Sequence, residues 1–223
     1  MRGKATAAVA AGAALAVAAA AYSALFRQRC LTWGATTGEV GREMPGDDLL
    51  PAPDLISTRA ISIAAPPHVI WPWLAQMGLG RGGAYSYDWI NNLIGFQMHS
   101  ASEILPEAQD LRAGDVLPHG FRGPRLRVQI LEPGRALVLR ADDGNWVWAF
   151  ALYPAGTVTR LVSRNRLSFP DASAFTRTVI LLGMEPGSLV MERKMLIGIK
   201  ERAERHAEPP PTAASALKSE LRS

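Results

Sequence analysis

The first sustained pattern of apolar and polar positions is an alternation. From Thr58, Ile61 and Ile63 point one way while Ala60, Ser62 and Ala64 point the other, which predicts a strand. Pro66-Pro67 stops it, and a proline suits the first position of a helix. Val69, Trp73 and Met77 then recur at four-residue steps, flanked by Ile70 and Leu74, as one face of a helix. Gly78, Gly80, Gly82 and Gly83 break it, and residues 85–94 predict a second short helix. Residues 99–105 (HSASEIL) read as a short strand and 106–111 as a helical turn or two. Gly114-Asp115 then turns the chain into Val116-Leu117-Pro118. Beyond it Leu126, Val128 and Ile130 alternate with Arg125, Arg127 and Gln129, and Pro133-Gly134 turns the chain into a return strand over 136–140. After Asp143-Gly144-Asn145, one face of a strand carries Trp146, Trp148, Phe150 and Leu152, and the other Val147, Ala149, Ala151 and Tyr153. A last strand occupies 157–169. Tight turns between strands leave no room for crossover helices, so the sheet is an antiparallel meander.

Pro170-Asp171 ends the sheet and the period changes to that of a helix. Residues 173–184 predict one helix, Glu185-Pro186-Gly187 interrupts it, and Ser188 caps a longer one running to about His206. Met191, Met195 and Ile199 form its apolar stripe, joined by Ala203, with Glu192, Arg193, Lys200, Glu201 and Arg205 as polar positions. A helix with one apolar face buries it, and the sheet is the partner on offer. The fold class is therefore α+β. Pro209-Pro210-Pro211 opens a polar tail predicted to be disordered.

The N-terminus changes this picture most. No charge occurs from Ala5 to Phe26, long enough as a helix to cross about 30 Å of hydrocarbon. Arg2 and Lys4 flank the run on one side and Arg27 and Arg29 on the other, so charge does not set an orientation. An uncleaved single-pass anchor is the reading adopted, with a cleaved signal peptide and a soluble alanine-rich helix as its competitors. Residues 31–56, rich in Gly, Pro and acids, read as a connecting arm that Trp33, Met44, Leu49 and Leu50 dock onto the domain, with Asp47-Asp48 as a solvated turn. The expected organisation is a membrane segment over 1–30, the arm over 31–56, the folded domain over 57–206 and the tail over 207–223. Composition adds little. A hydrophobic share of 48% with 20% charged residues is globular, and a net charge of +4 without a basic block gives no nucleic-acid signature. The single cysteine, Cys30, excludes an internal disulfide.

The order of elements resembles the START-like helix-grip (SRPBCC) superfamily, and within it an actinobacterial-type subgroup labelled polyketide cyclase/dehydrase and lipid transport. The resemblance is carried by WGAT (33–36), PGDDLLP (45–51), TRAISIAAPPHVIWPWLAQMG (58–78), YSYDW (85–89), ILEPGRALVL (130–139) and MERKMLIGIK (191–200). It implies a curved antiparallel sheet of about seven strands wrapped around the long C-terminal helix, with a cavity between them. It brings no catalytic motif, because one scaffold hosts transfer proteins, enzymes and binding modules.

Within that frame Trp146, Trp148 and Phe150 supply an aromatic sheet face. Met191 and Met195 supply a pliable helix face, and Trp73, Tyr85 and Tyr87 the mouth of a ligand cavity. Each of these residues is equally at home in a packed core. Arg160, Arg164 and Arg166 share one strand face and suit a carboxylate or phosphate head group, Arg164 being the candidate ligand contact. The competing reading is a solvated convex face, with Asp88 and Glu103 as structural partners. Tyr85, Tyr87, Asp88, His99 and Glu103 are candidate proton handlers. The glycines of GLGRGG follow a helix and precede antiparallel strands, which excludes a dinucleotide loop. His68, His99, His119 and His206 lack metal-ligand spacing, and no serine sits in a nucleophile elbow, so neither metal, cofactor nor catalytic residue is assigned. The expected function is a membrane-anchored binding or transfer module for a lipid or other hydrophobic small molecule. The alternative is a polyketide cyclase/dehydrase-like enzyme acting on an aromatic or polyketide substrate.

Overall fold

Hydrogen-bonding demand along the alternating segments is met by pairing each strand antiparallel with its neighbours. In the computed structural model, which describes residues 12, 13, 17, 20, 26–93, 97–117 and 124–207, six strands form one sheet. They are β1 (Leu55–Ile63), β2 (Val116–Leu117), β3 (Leu126–Glu132), β4 (Ala136–Ala141), β5 (Trp146–Ala155) and β6 (Val158–Leu167), in the spatial order β1-β6-β5-β4-β3-β2. The helices are α1 (Arg27–Leu31), α2 (Thr37–Gly41), α3 (Pro67–Ala75), α4 (Asp88–Leu93) and α5 (Ala174–Ala207). The first strand thus closes against the last, with Ala60 opposite Val162 and Ser57 opposite Asn165. The predicted span over 5–26 lies largely outside the described residues, as does nearly all of the predicted tail. Among the described residues no helix is long and apolar enough to cross a membrane.

Period-two alternation gives the sheet two apolar faces, and both are covered. On one, Ile63, Leu126, Val128, Leu137, Leu139, Phe150, Leu152 and Leu161 pack with Ile70, Trp73 and Leu74 of α3 and with Met195, Leu196, Ile199 and Ala203 of α5. This is the helix-grip arrangement, one long helix laid across an antiparallel sheet. On the other face Ala60, Val138, Val147, Ala149, Ala151 and Val162 pack beneath Met44, Leu49 and Leu50 of the arm.

Three sequence expectations change. Residues 99–105 form no strand, so the described sheet has six strands rather than about seven. Their backbone groups are satisfied elsewhere. The Gln76 side chain accepts from Leu105 N (2.9 Å) and donates to Glu103 O (3.1 Å), Asp88 accepts from Ser100 N (2.7 Å), and Gly82 O accepts from Ala101 N (3.0 Å). The C-terminal helix is one continuous rod from Ala174 to Ala207 with Pro186 inside it. An interior proline costs a helix about 3 kcal/mol, and tertiary contacts on either side of Pro186 oppose that cost. Arg27 pairs with buried Glu185 at 3.0 Å, and Arg59 donates to Ser188 Oγ at 3.0 Å. Ser188 caps nothing; its hydroxyl donates to the Glu185 carbonyl at 2.9 Å.

The third change concerns the arm, where the turn at Asp47 is not solvated. Arg160, Arg164 and Arg166 do share a face of β6, and that face lies under the arm. The Arg164 guanidinium donates to Thr58 Oγ1 (2.9 Å), to the carbonyls of Glu39 (2.9 Å), Val40 (3.0 Å) and Arg42 (2.8 Å), and to Asp47 Oδ2 (2.6 Å). It closes the C-terminal end of α2, where carbonyls have no partner within the helix. Asp47 also meets Arg166 at 3.3 Å, and Arg160 holds both Glu39 oxygens at 2.8 Å. Glu39 completes a capping box with Thr36 at the other end of α2.

Arg164→Ala leaves Asp47 short of a partner and three carbonyls unmet in a buried site, so it is expected to lower stability by about 3 kcal/mol. Arg127→Ala, whose side chain is exposed, is expected to stay within about 0.5 kcal/mol. Urea midpoints measure both, and equal midpoints would show that the arm contributes no stability through Arg164.

Candidate functional site

The grip of α5 on the sheet is uneven, and the site follows from that. From Leu196 to Ala203 its inner face is packed solid. Gly198 lies against the Tyr85 carbonyl so closely that a Cβ there would collide with it. Tyr85, held at φ 52°, donates to Trp73 O at 3.0 Å beneath the Arg202 guanidinium. Its burial drives the phenol far above its ordinary value, against weaker opposing contributions from Gln76, Arg202 and Arg81. Trp73 is fully buried, edge-on to Tyr85 and His206. Around Met184–Met195 the helix stands off from β5, β6 and the start of β1, leaving a cavity of about 540 Å³.

Sheet-side lining comes from Leu55, Ser57, Trp146, Trp148, Asn165 and Leu167. The helix side adds Met184, Gly187, Ser188, Met191, Glu192 and Met195, and Ala84, Ser86, Ile90 and Met98 close the flank. Gly187, Met184, Ile90 and Met98 retain exposure and mark the mouth; Leu55, Ser57, Glu192 and Met195 are buried and mark the floor. The wall is mainly apolar. Trp146 and Trp148 stack at 5.6 Å with planes 19° apart, and Phe150 supports Trp148 from behind at 4.8 Å.

One carboxylate organises the polar part of the floor. Trp148 Nε1 donates to Ser163 Oγ (3.0 Å), which donates to Glu192 Oε1 (2.6 Å). Trp146 Nε1 donates to Asn165 Oδ1 (2.9 Å), whose amide donates to Glu192 Oε2 (3.2 Å). Arg59, wholly buried, completes the set with a direct ion pair to Glu192 and donates its Nε to the Cys30 carbonyl at 3.0 Å. Burial raises the Glu192 carboxyl above its ordinary value, with Arg59 and Ser163 pulling in the opposite direction. Among the described residues no group of three or more His, Cys, Asp and Glu could hold a metal.

Of the residues singled out in the sequence, Trp146, Trp148, Met191 and Met195 meet at this cavity and Phe150 lies directly behind it. Trp73 and Tyr85 belong to the solid core instead, where the close crossing at Gly198 leaves no space for a ligand. Tyr87 is half-buried on the flank without lining the cavity. Arg164 is on the opposite face of the sheet, its guanidinium committed to the arm. None of Tyr85, Tyr87, Asp88, His99 and Glu103 lines the cavity; Asp88 is held by the Ser100 hydroxyl at 2.7 Å. Missed in the sequence were Glu192, Arg59, Ser163 and Asn165. The signal was present in the spacing: Glu192 precedes Leu196, Ile199 and Ala203 by 4, 7 and 11 positions, and Arg59 has the parity of Ile61 and Ile63.

No family model matches the chain, and no curated protein does. Similar solved structures include the Polyketide_cyc-like protein Cgl2372 from Corynebacterium glutamicum, at 18% identity over 69% of this chain and 93% of that one, TM-score 0.39. Others are the Aha1 dimer from Colwellia psychrerythraea (14%, 67% and 96%, TM-score 0.40) and protein NE0264 from Nitrosomonas europaea (12%, 68% and 96%, TM-score 0.43). TM-scores this low decide nothing about ligand or activity, and the helix-grip assignment rests on the strand order and helix placement above.

Arg59→Met strands the Glu192 charge in a buried site and is expected to cost about 3–5 kcal/mol at neutral pH. A carboxyl whose folded pKa lies above its unfolded value destabilises the fold when ionised, and that cost fades as pH falls and the folded state takes up the proton. Without Arg59 the folded value rises further. The deficit relative to the parent protein should therefore narrow from neutral pH towards the ordinary glutamate range, read as thermal midpoints against pH. A pH-independent deficit would remove Glu192 as its cause.

Proposed function

We propose that this protein binds a lipid or other hydrophobic small molecule in the cavity between α5 and the sheet, and does so as a membrane-anchored module. The observation that carries the first part is the cavity itself: about 540 Å³, walled among the described residues by two tryptophans and four methionines, within the size range of small-molecule sites. Methionines adapt to irregular apolar shapes, and stacked indoles offer flat apolar area at low entropic cost.

The anchor rests on the uncharged run from Ala5 to Phe26. That run leads into α1, whose first residue, Arg27, is held on Glu185 of α5, beside the lining residues Met184 and Gly187. The helices forming the mouth also expose apolar side chains, Trp89 and Leu93 on α4 and Phe175, Val179 and Val190 on α5. A bilayer at this end of the molecule would lie against the opening through which an apolar ligand enters.

The alternative, a polyketide cyclase/dehydrase-like enzyme, draws on Glu192, a buried carboxyl with a raised pKa at a cavity wall. Its two oxygens already receive Ser163, Asn165 and Arg59, which suits a structural anion better than a group that exchanges protons with substrate. Binding is therefore the reading adopted.

Native mass spectrometry of the full chain extracted in mild detergent, followed by organic extraction, is expected to find a retained apolar molecule. Trp148→Ala should lose most of it while remaining folded. A parent protein free of adducts under release conditions that preserve its fold, with no uptake from a lipid extract, would overturn the binding reading. Complete recovery of the uncleaved chain without detergent would overturn the anchor alone.

A further inference from the structure

Among the described residues the cavity lining contains one ionisable side chain, and it is an acid. Glu192 reaches the floor, while its counter-ion Arg59 lies outside the lining, bonded to Cys30, Ser188 and Glu192. No lysine, arginine or histidine is among the described lining residues. The arginine that the sequence offered as a head-group clamp, Arg164, is spent on the arm across the sheet. The ion pair is thus oriented with its anionic end towards the ligand and its cationic end away.

We infer that the cavity selects ligands whose polar end donates hydrogen bonds and carries no negative charge (alcohols, amides or amines on an apolar body) and rejects carboxylates, fatty acids among them. This deepens the binding reading and rests on it. A carboxylate has room for about four acceptor contacts, and three of those on Glu192 are taken by Ser163, Asn165 and Arg59, so an acceptor position remains for a donor. Ser57, also buried in the floor, adds a hydroxyl. An incoming carboxylate would instead set two like charges together where little water screens them. A neutral body without a donor would fill the walls but leave the floor unmet, giving a weaker ligand than the matching alcohol.

The test is displacement of the neutral probe N-phenyl-1-naphthylamine from the full chain held in nanodiscs, with empty nanodiscs as the blank. The competitors are dodecanol, dodecylamine and dodecanoate at neutral pH. Dodecanol and dodecylamine are expected to displace the probe at concentrations at least about tenfold below dodecanoate, a gap of about 1.4 kcal/mol. Glu192→Gln should close most of that gap by improving dodecanoate. If that variant fails to fold, Arg59→Met combined with Glu192→Met removes both charges together and should act in the same direction. Dodecanoate competing as well as dodecanol in the parent protein would overturn the inference, and so would a gap unchanged in a folded Glu192 variant. Failure of the probe itself to bind above the blank would instead bring down the cavity reading, and this inference with it.

Discussion

The buried pair of Arg59 and Glu192 is the constraint on which the rest of the structure turns. An ionised pair in an apolar interior is tolerated only when its remaining donors and acceptors are also met. Meeting them here ties four elements together: β1 supplies Arg59, α5 supplies Glu192 and Ser188, β6 supplies Ser163 and Asn165, and α1 supplies the Cys30 carbonyl. The two tryptophans of β5 are then oriented by the β6 residues that serve the carboxylate. Shape and polarity of the cavity floor therefore come from one network. Below it, the close approach at Gly198 lets α5 settle onto Tyr85. Above it, side chains fill the gap only in part, and the cavity is what remains.

A second network does the corresponding work on the outer face. Three arginines on one face of β6 turn an irregular, glycine- and proline-rich arm into a fixed third layer. They meet its carbonyls and its acids Glu39 and Asp47 while Met44, Leu49 and Leu50 seal the apolar surface between. β6 is thus polar on both sides for opposite purposes, with Ser163 and Asn165 towards the cavity side and Arg164 and Arg166 towards the arm. Strands buried on both faces commonly read as near-continuous apolar runs; this interior strand, second from the edge, is a hydrogen-bonding spine.

Much of the fold was legible because periodicity and turn chemistry are local. The meander from Leu126 to Leu167, the proline-started α3 and the apolar stripe of α5 follow from residues a few positions apart. The failures were non-local. Pro186 reads as a break because the contacts holding it in the helix come from Arg27 and Arg59, far away in sequence. Residues 99–105 alternate like a strand, yet Gln76 and Asp88 satisfy their backbone first. For the site, the aromatic and methionine walls were visible as faces. Which face was hidden depended on tertiary layout, and so Arg164 was assigned to ligand and Glu192 to the polar positions of its helix. A charged residue in an apolar register is the clue that spacing alone offered at both Glu192 and Arg59.

The Cys30 carbonyl beneath Arg59 bears on where the autonomous folding unit begins. Sequence pattern places that boundary near residue 57, at the first alternating strand, and contacts from α1 and the arm cross it. A fragment starting at residue 57 would leave the Arg59 Nε–H without the Cys30 carbonyl, Glu185 without Arg27 and one entire sheet face bare to water. Boundaries between folding units fall where few contacts cross, and the roughly thirty residues from α1 to β1 make many contacts with the sheet and α5. What looks like a linker is packed and hydrogen-bonded as part of the domain.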